Sequence, residues 1–291
     1  MNVFVIPMLQ DNFCYYVHRP EDLTKGFFVD VSQPQVLQQF MHKFGISKPT
    51  HIFTTHKHHD HSGGNADIKN TYPELEVVGG SNDNIPSCTL PVNDGDTLDI
   101  HGLKIKCMHT PCHTRGHILY YVEASTPSLV DQEESKQASS TDFERSKVHD
   151  YQLLSNINRC VFTGDTLFIG GCGRFFEGKP EEMQSAMDRL SGDLPPDTKV
   201  FCGHEYTIKN LEFGMMAEPD NQDIINSMKH YQKLIDQGFH SVPSTISEEA
   251  AINVFMRTKQ PSVKEACGLK DPVQCMQFLR EYKNSGQRPN L

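Results

Sequence analysis

The sequence contains no tryptophan, no C-x-x-C pair and no apolar run approaching the ~20 residues that cross a bilayer. A membrane span is therefore not expected. Positive charge is also short: 27 Lys and Arg stand against 37 Asp and Glu, a formal net charge of −10. A general nucleic-acid binder normally carries a basic face, so that class is disfavoured. Residues 1–7 lack the basic segment and long apolar core of a secretory signal and read as an opening β-strand. The nine cysteines are scattered without framework spacing, which predicts reduced thiols in a cytoplasmic protein. No repeat of solenoid period is visible. What is abundant is histidine, with 15 residues, several of them clustered.

A chain of 291 residues has room for one large domain or two ordinary ones. Apolar or β-branched runs at 3–6, 14–17, 27–31, 51–54, 76–78, 98–100, 103–107 and 118–122 have strand length. Residues 34–44 place Val36, Leu37, Phe40, Met41 and Phe44 on one side of a helix. Strands interspersed with helices predict a layered α/β architecture. Residues 124–159 are polar and charged and read as an inserted surface loop. The strand pattern returns at 160–163 and 198–202, with a helix over 181–190 between. Beyond Lys209 the chain reads as helical, most clearly at 224–235 and 272–283, without strand signals. The composition shift near Lys209 sets the expected boundary between domains 1–208 and 209–291.

Directly after the strand at 51–54 the chain runs Thr55-His56-Lys57-His58-His59-Asp60-His61. Imidazoles and a carboxylate are ligands that suit Zn and Fe. The bland alternative is a solvated histidine-rich loop. Further donors close other predicted strands: His113 and His117 after 103–108, Asp165 after 160–162, and His204 after 199–201. Strand ends of α/β layers lie along one sheet edge, so these loops can converge. His59 is expected to lie at the surface or to support a ligand rather than bind metal itself, and His117 either supports a ligand or is purely structural. Cys112 and Cys202 adjoin candidate ligands and are left out of the set.

The motifs T-H-x-H-x-D-H, P-x-H-T-x-G-H, T-G-D and G-H resemble the metallo-β-lactamase superfamily. The segments around Gly171-Cys172-Gly173-Arg174-Phe175-Phe176-Glu177-Gly178 and Cys202-Gly203-His204-Glu205-Tyr206-Thr207 narrow this. With the opening Leu9-Gln10-Asp11-Asn12-Phe13, they resemble the hydroxyacylglutathione hydrolase (glyoxalase II) family. The resemblance implies a four-layer αββα sandwich with a smaller C-terminal helical domain. It also implies two divalent metal ions, Zn or alternatively Fe or Mn. His56, His58 and His113 would hold the first ion; Asp60, His61 and His204 the second; Asp165 would bridge them. The implied activity is hydrolysis of S-(2-hydroxyacyl)glutathione thioesters by a metal-bound hydroxide, with Asp60 and Asp165 as catalytic residues.

Arg280 and Lys283 are three residues apart, hence on one helix face. From spacing alone they read as a solvated basic pair. The resemblance makes them the grip on the glycine carboxylate of glutathione, with Arg174, Phe176 and Tyr206 lining the thiol pocket. Some family members carry Lys and Tyr where this chain has Arg174 and Phe176. The missing hydroxyl removes a bond worth about 0.5–1.5 kcal/mol, which shifts KM rather than abolishing activity. Competing readings are a mononuclear iron glutathione persulfide dioxygenase and a weakly active metal-bound module that recruits partners through the acidic insert. The second set of donors and the R-x-x-K pair argue against the first, and the intact ligand set argues against the second. The expected protein is a monomer that takes a small-molecule substrate and binds neither nucleic acid nor membrane.

Overall fold

The computed structural model describes residues 1–124 and 143–289. Its strands are β1 (Asn2–Met8), β2 (Asn12–His18), β3 (Gly26–Val29), β4 (His51–Thr54), β5 (Glu76–Gly80), β6 (Leu90–Val92), β7 (Thr97–Ile100), β8 (Leu103–His109), β9 (Ile118–Ala124), β10 (Glu144–Val148), β11 (Tyr151–Ser155), β12 (Arg159–Gly164), β13 (Leu167–Phe168), β14 (Gly171–Cys172), β15 (Lys199–Cys202) and β16 (Ser244–Thr245). Eight of them form one sheet in the order β10-β11-β1-β2-β3-β4-β5-β6, and six form a second in the order β16-β15-β12-β9-β8-β7. Strands β3 to β6 run parallel, as do β12 and β15.

Strand periodicity builds the layers. Successive side chains leave a strand on opposite faces. In β1, Val3 and Val5 enter the core between the sheets, whereas Phe4 and Ile6 face outward. Strands β2, β3 and β4 alternate likewise, sending Tyr15, Phe27 and Phe53 inward and Tyr16, Phe28 and Ile52 outward. The outward set is covered by α1 (Pro34–Phe44) and α3 (Asn65–Thr71), through Leu37, Phe40, Met41 and Ile68. Proline starts α1 and Gly45 ends it at φ 69°, a left-handed conformation that costs glycine little. Helix α4 (Pro180–Asp193) buries Met183, Ala186, Met187 and Leu190 and supplies the layer beyond the second sheet. The result is helix–sheet–sheet–helix.

The C-terminal part packs α5 (Thr207–Ala217), α6 (Gln222–Asp236), α7 (Ile246–Ile252), α8 (Pro261–Cys267) and α9 (Pro272–Ser285) against this frame. Asn221 caps α6 by accepting from Asp223 N and Ile224 N at 3.0 and 3.3 Å, and Asp271 caps α9 through Gln274 N at 2.8 Å. Among the described residues no helix is long and apolar enough to cross a membrane. All nine cysteines are free thiols.

Two expectations change. The polar insert at 124–159 is not loop throughout: β10 and β11 form a hairpin that pairs with β1 at the edge of the first sheet. Tyr151–Ser155 buries alternate residues, Gln152 and Leu154, and that weak two-residue period was masked by polar neighbours. The remainder of the insert, residues 125–142, lies outside the described residues. Nor is the chain beyond Lys209 free of strand: β16 pairs antiparallel with β15. Two residues are too few to show a period.

Candidate metal centre and substrate groove

Both sheets deliver their strand ends to one edge of the sandwich. Tyrosine hydroxyls fasten those ends across the core. Tyr120 of β9 donates to Thr54 O at 2.8 Å, just before the histidine cluster, and Tyr15 of β2 donates to Cys202 O at 2.5 Å, just before His204. Backbone bonds from Phe13 N to Gly203 O and from Glu205 N to Asp11 O, both 2.9 Å, join the start of β2 to the end of β15. The loops also need glycine. A Cβ on Gly203 would lie 2.6 Å from Asp165 Oδ1 and 2.6 Å from His61 Cε1, and one on Gly164 (φ +46°) would lie 2.4 Å from Thr55 Oγ1.

After β4 the chain turns at His58 into α2 (His59–Ser62), a single helical turn. Ser62 Oγ closes it by donating to Lys57 O and His58 O at 2.9 and 3.0 Å. This turn brings His56, His58, Asp60 and His61 toward His113, Asp165 and His204, while His59 is exposed. Three sets of donor atoms each lie within 4.8 Å of one another: His56, His58 and His113; His56, His61 and Asp165; Asp60, His61 and His204. His58 Nδ1 is 3.1 Å from His56 Nε2 and 3.0 Å from His113 Nε2. His61 Nε2 is 3.2 Å from His204 Nε2, and Asp60 Oδ2 is 3.4 Å from His204 Nε2. Asp165 spans the two groups. Its Oδ1 is 3.2 and 3.4 Å from the Nε2 atoms of His61 and His204, and its Oδ2 is 3.4 Å from His113 Nε2.

These spacings match a cage. Nitrogen and oxygen ligands sit about 2.0–2.2 Å from Zn, so two tetrahedral neighbours stand roughly 3.3–3.6 Å apart. Asp165 Oδ1 is buried without a hydrogen-bond partner, an arrangement that proteins rarely leave unfilled. Burial opposes charge on His61, yet Asp165 and Asp30 hold its pKa well above the usual value. Burial likewise opposes charge on His204, but Asp165 and Asp60 carry it up to about 10. The field that draws protons onto these rings is one that favours a cation.

Outer partners orient the rings, a recurrent feature of metal-binding histidines. His113 Nδ1 donates to Arg174 O at 3.0 Å, which leaves Nε2 of the neutral ring as the acceptor facing the cage. His61 Nδ1 is 2.9 Å from Asp30 Oδ2, and His204 Nδ1 is 2.9 Å from Asp11 Oδ1. Asn12 Nδ2 donates to Asp60 Oδ2 at 3.0 Å. Sequence reasoning assigned no role to Asp11, Asn12 or Asp30. Asp30 carries a signal in retrospect, an acid immediately following a buried strand. His117 supports the cage: its Nε2 accepts from Asp165 N at 3.2 Å, and its ring stacks on His56 at 4.9 Å. Cys112 and Cys202 direct their thiols to the carbonyls of Lys179 and His204, and burial pushes both thiols up.

Beside the cage lies a groove of about 330 Å³ that brings Arg174, Phe176, Tyr206, Arg280 and Lys283 together with His113 and Asp165. Tyr206 stacks on His204 at 4.6 Å, and Phe168 packs edge-on to Tyr206 at 5.2 Å. Phe176 is 60% exposed, and its ring lies 5.1 Å from that of His113. At the far end Arg280, only 6% exposed, donates from Nη1 to Cys172 O at 3.0 Å, and its buried Nε has no partner. Lys283 Nζ donates to Asn210 Oδ1 at 2.5 Å, and burial with Arg280 nearby brings its pKa down to about 8. Among the described residues no carboxylate pairs with Arg174, Arg280 or Lys283. For Arg280, which is buried, and Lys283, which is half-buried, an uncompensated charge is costly and rare in a structural role. Asn210, which positions the lysine, was not anticipated.

Comparison with known proteins adds to this geometry. Residues 205–286 match the family described as hydroxyacylglutathione hydrolase C-terminus, and residues 29–84 match the metallo-beta-lactamase superfamily. The protein named cytoplasmic hydroxyacylglutathione hydrolase in Arabidopsis thaliana is 36% identical over 285 residues, 98% of this chain and 98% of that relative. A hydroxyacylglutathione hydrolase-like protein of Gallus gallus is 32% identical over 289 residues, covering 99% of this chain and 92% of its own. In fold alone, the crystal structure of ETHE1 from Myxococcus xanthus is similar, with a TM-score of 0.59 at 19% identity, covering 98% of this chain and 91% of that one.

Proposed function

The chain belongs to the hydroxyacylglutathione hydrolase family and is a thioester hydrolase of metallo-β-lactamase fold, and from that premise we propose that it cleaves S-(2-hydroxyacyl)glutathione thioesters such as S-lactoylglutathione. The products are glutathione and a 2-hydroxy acid. The observation that carries this reading is the buried Asp165 carboxylate, with one oxygen toward His61 and His204 and the other toward His113. On this reading His56, His58 and His113 would hold one divalent ion, Asp60, His61 and His204 a second, and Asp165 would bridge them. Such His and Asp donors accept Zn, Fe or Mn. When bound, the ions bring the pKa of water toward about 7 and polarise the thioester carbonyl.

The chain's own residues do the rest. Arg280 and Lys283 take the glycine carboxylate of glutathione, Arg through its planar fork and Lys as a point charge. Tyr206, Phe168 and Phe176 flank the path from there to the cage and displace water from the thioester. Asp60, held by Asn12 and partly exposed, orients the attacking water. The leaving thiolate has a free pKa of about 8.5, so expelling it needs no strong general acid. We assign residues 1–208 to the metal-binding part and 209–291 to the helical substrate-binding part. One chain supplies every group named, which supports a monomer, and the name of the Arabidopsis relative supports a cytoplasmic location.

A purified-enzyme assay tests this, with S-lactoylglutathione as substrate, free thiol as readout and elemental analysis in parallel. Expected are thiol release and two ions per chain. Oxygen uptake with glutathione persulfide, without thioester cleavage, would replace this reading with that of a mononuclear dioxygenase.

A further inference from the structure

Beyond the groove just described lies a second lobe of about 360 Å³, sharing Arg174, Phe176 and Arg280 with it. Its outer wall is the exposed face of α9, where Gln277, Glu281 and Asn284 follow one another at helical spacing. The site therefore has three ends: the donor cage, the Lys283–Asn210 end, and this lobe. Glutathione also has three arms leaving its cysteine: the thioester, the glycine, and the γ-glutamyl group, which ends in an α-ammonium and an α-carboxylate. Once the first two arms are placed, the adjoining lobe lies open to the third.

Its chemistry suits such a zwitterion. Gln277 Nε2 donates to Glu281 Oε1 at 2.8 Å, which holds the carboxylate against the helix and leaves Oε2 available. Arg174 also lines the lobe and has no carboxylate partner among the described residues. Asn284 adds an amide able to donate and accept.

Taking the glutathione-thioester reading as its basis, we propose that this lobe is a γ-glutamyl subsite, with Glu281 receiving the α-ammonium, Arg174 the α-carboxylate, and Asn284 bonding alongside. The subsite makes the enzyme selective for the full tripeptide over thiols that lack the γ-glutamyl group.

The test compares S-lactoylglutathione with S-lactoyl-N-acetyl-cysteinylglycine, in which an acetyl cap replaces the γ-glutamyl group and blocks migration of the acyl group from sulfur to a free amine. An exposed ion pair contributes up to about 1 kcal/mol, so the wild type should favour the tripeptide about fivefold in kcat/KM, mainly through KM. Glu281→Gln should bring that ratio to within about twofold of unity, and Asn284→Leu should reduce it in the same direction. Equal kcat/KM for both thioesters in the wild type would overturn the subsite while leaving the hydrolase intact. A preference unmoved in both variants would do the same. Turnover of neither thioester would remove the hydrolase reading and the subsite together.

Discussion

Replacing Lys283 with Met separates stability from binding. The ammonium lines the groove, over the Phe213 ring at 5.0 Å, and among the described residues its bonded partner is Asn210 Oδ1. The fall of its pKa from 10.5 to about 8 corresponds to about 3 kcal/mol, at roughly 1.4 kcal/mol per pKa unit. The free protein carries that cost wherever the folded lysine is charged, below about pH 8. Between about pH 8 and 10.5 the unfolded chain binds more protons than the folded one, so the wild type regains this stability as pH rises. Methionine has similar reach and no charge. Its loss of the Asn210 bond takes back about 1 kcal/mol, leaving a net gain of about 2 kcal/mol at pH 7. For a chain of 291 residues that raises Tm by about 3 °C. The opposite should happen to substrate affinity. A hydrogen bond to a charged group contributes about 1.5–3 kcal/mol, so KM for S-lactoylglutathione should rise roughly 10- to 150-fold with kcat little changed. In the wild type, kcat/KM should fall above pH 8 as Lys283 loses its proton, and kcat should not, because the bound carboxylate keeps the lysine charged. The assays are unfolding at pH 7 and pH 10, and the pH profiles of both kinetic parameters. An unchanged KM in Lys283→Met would refute the reasoning, as would a variant less stable at pH 7 that retains the alkaline limb.

Other changes probe the cage and its supports. Asp165→Ala should lose bound metal and activity together, by more than the roughly 10–100-fold typical of losing an outer partner; elemental analysis finding two tightly held ions would refute the bridge. Asp30→Asn, which weakens the hold on His61 Nδ1, should lower metal affinity about 10–100-fold in chelator competition, and unchanged retention would remove the orienting role. Glu249, accepting from Gly170 N, Ser244 Oγ and Asn253 Nδ2, is pushed by burial up to about 8. Between its ordinary 4.5 and about 8 the folded state binds the extra proton, so stability should fall as pH rises through that window. Glu249→Gln should flatten this slope in pH-dependent denaturant titrations, and an equal slope in both proteins would count against it.

The site was legible because its chemistry is local. His56, His58, Asp60 and His61 occur within six residues after a strand, and His113, Asp165 and His204 each follow a strand of their own. Such runs of imidazoles and carboxylates are unusual in any sequence, so they stand out. The alternation of β1 to β4 and the proline-to-glycine bounds of α1 were likewise written in neighbouring residues. The hairpin β10–β11 was hidden because β10, at the sheet edge, buries none of its residues and carries Glu144, Arg145 and Lys147, while β11 buries only Gln152 and Leu154. Asp30 and Asp11 were hidden because an outer partner is defined by its distance to a ring far along the chain, 31 residues to His61 and 193 to His204.

By itself the sequence determined the donor types, the strands that present them, and the R-x-x-K pair on a C-terminal helix. All of these depend on residues within a few positions of one another. Only the tertiary structure decided that Asp165 faces two groups of imidazoles at once, that Arg280 and Lys283 have no acidic partner among the described residues, and that the groove continues onto the outer face of α9. Those facts arise where two sheets and a helical segment meet, and no local pattern encodes a distance across that junction.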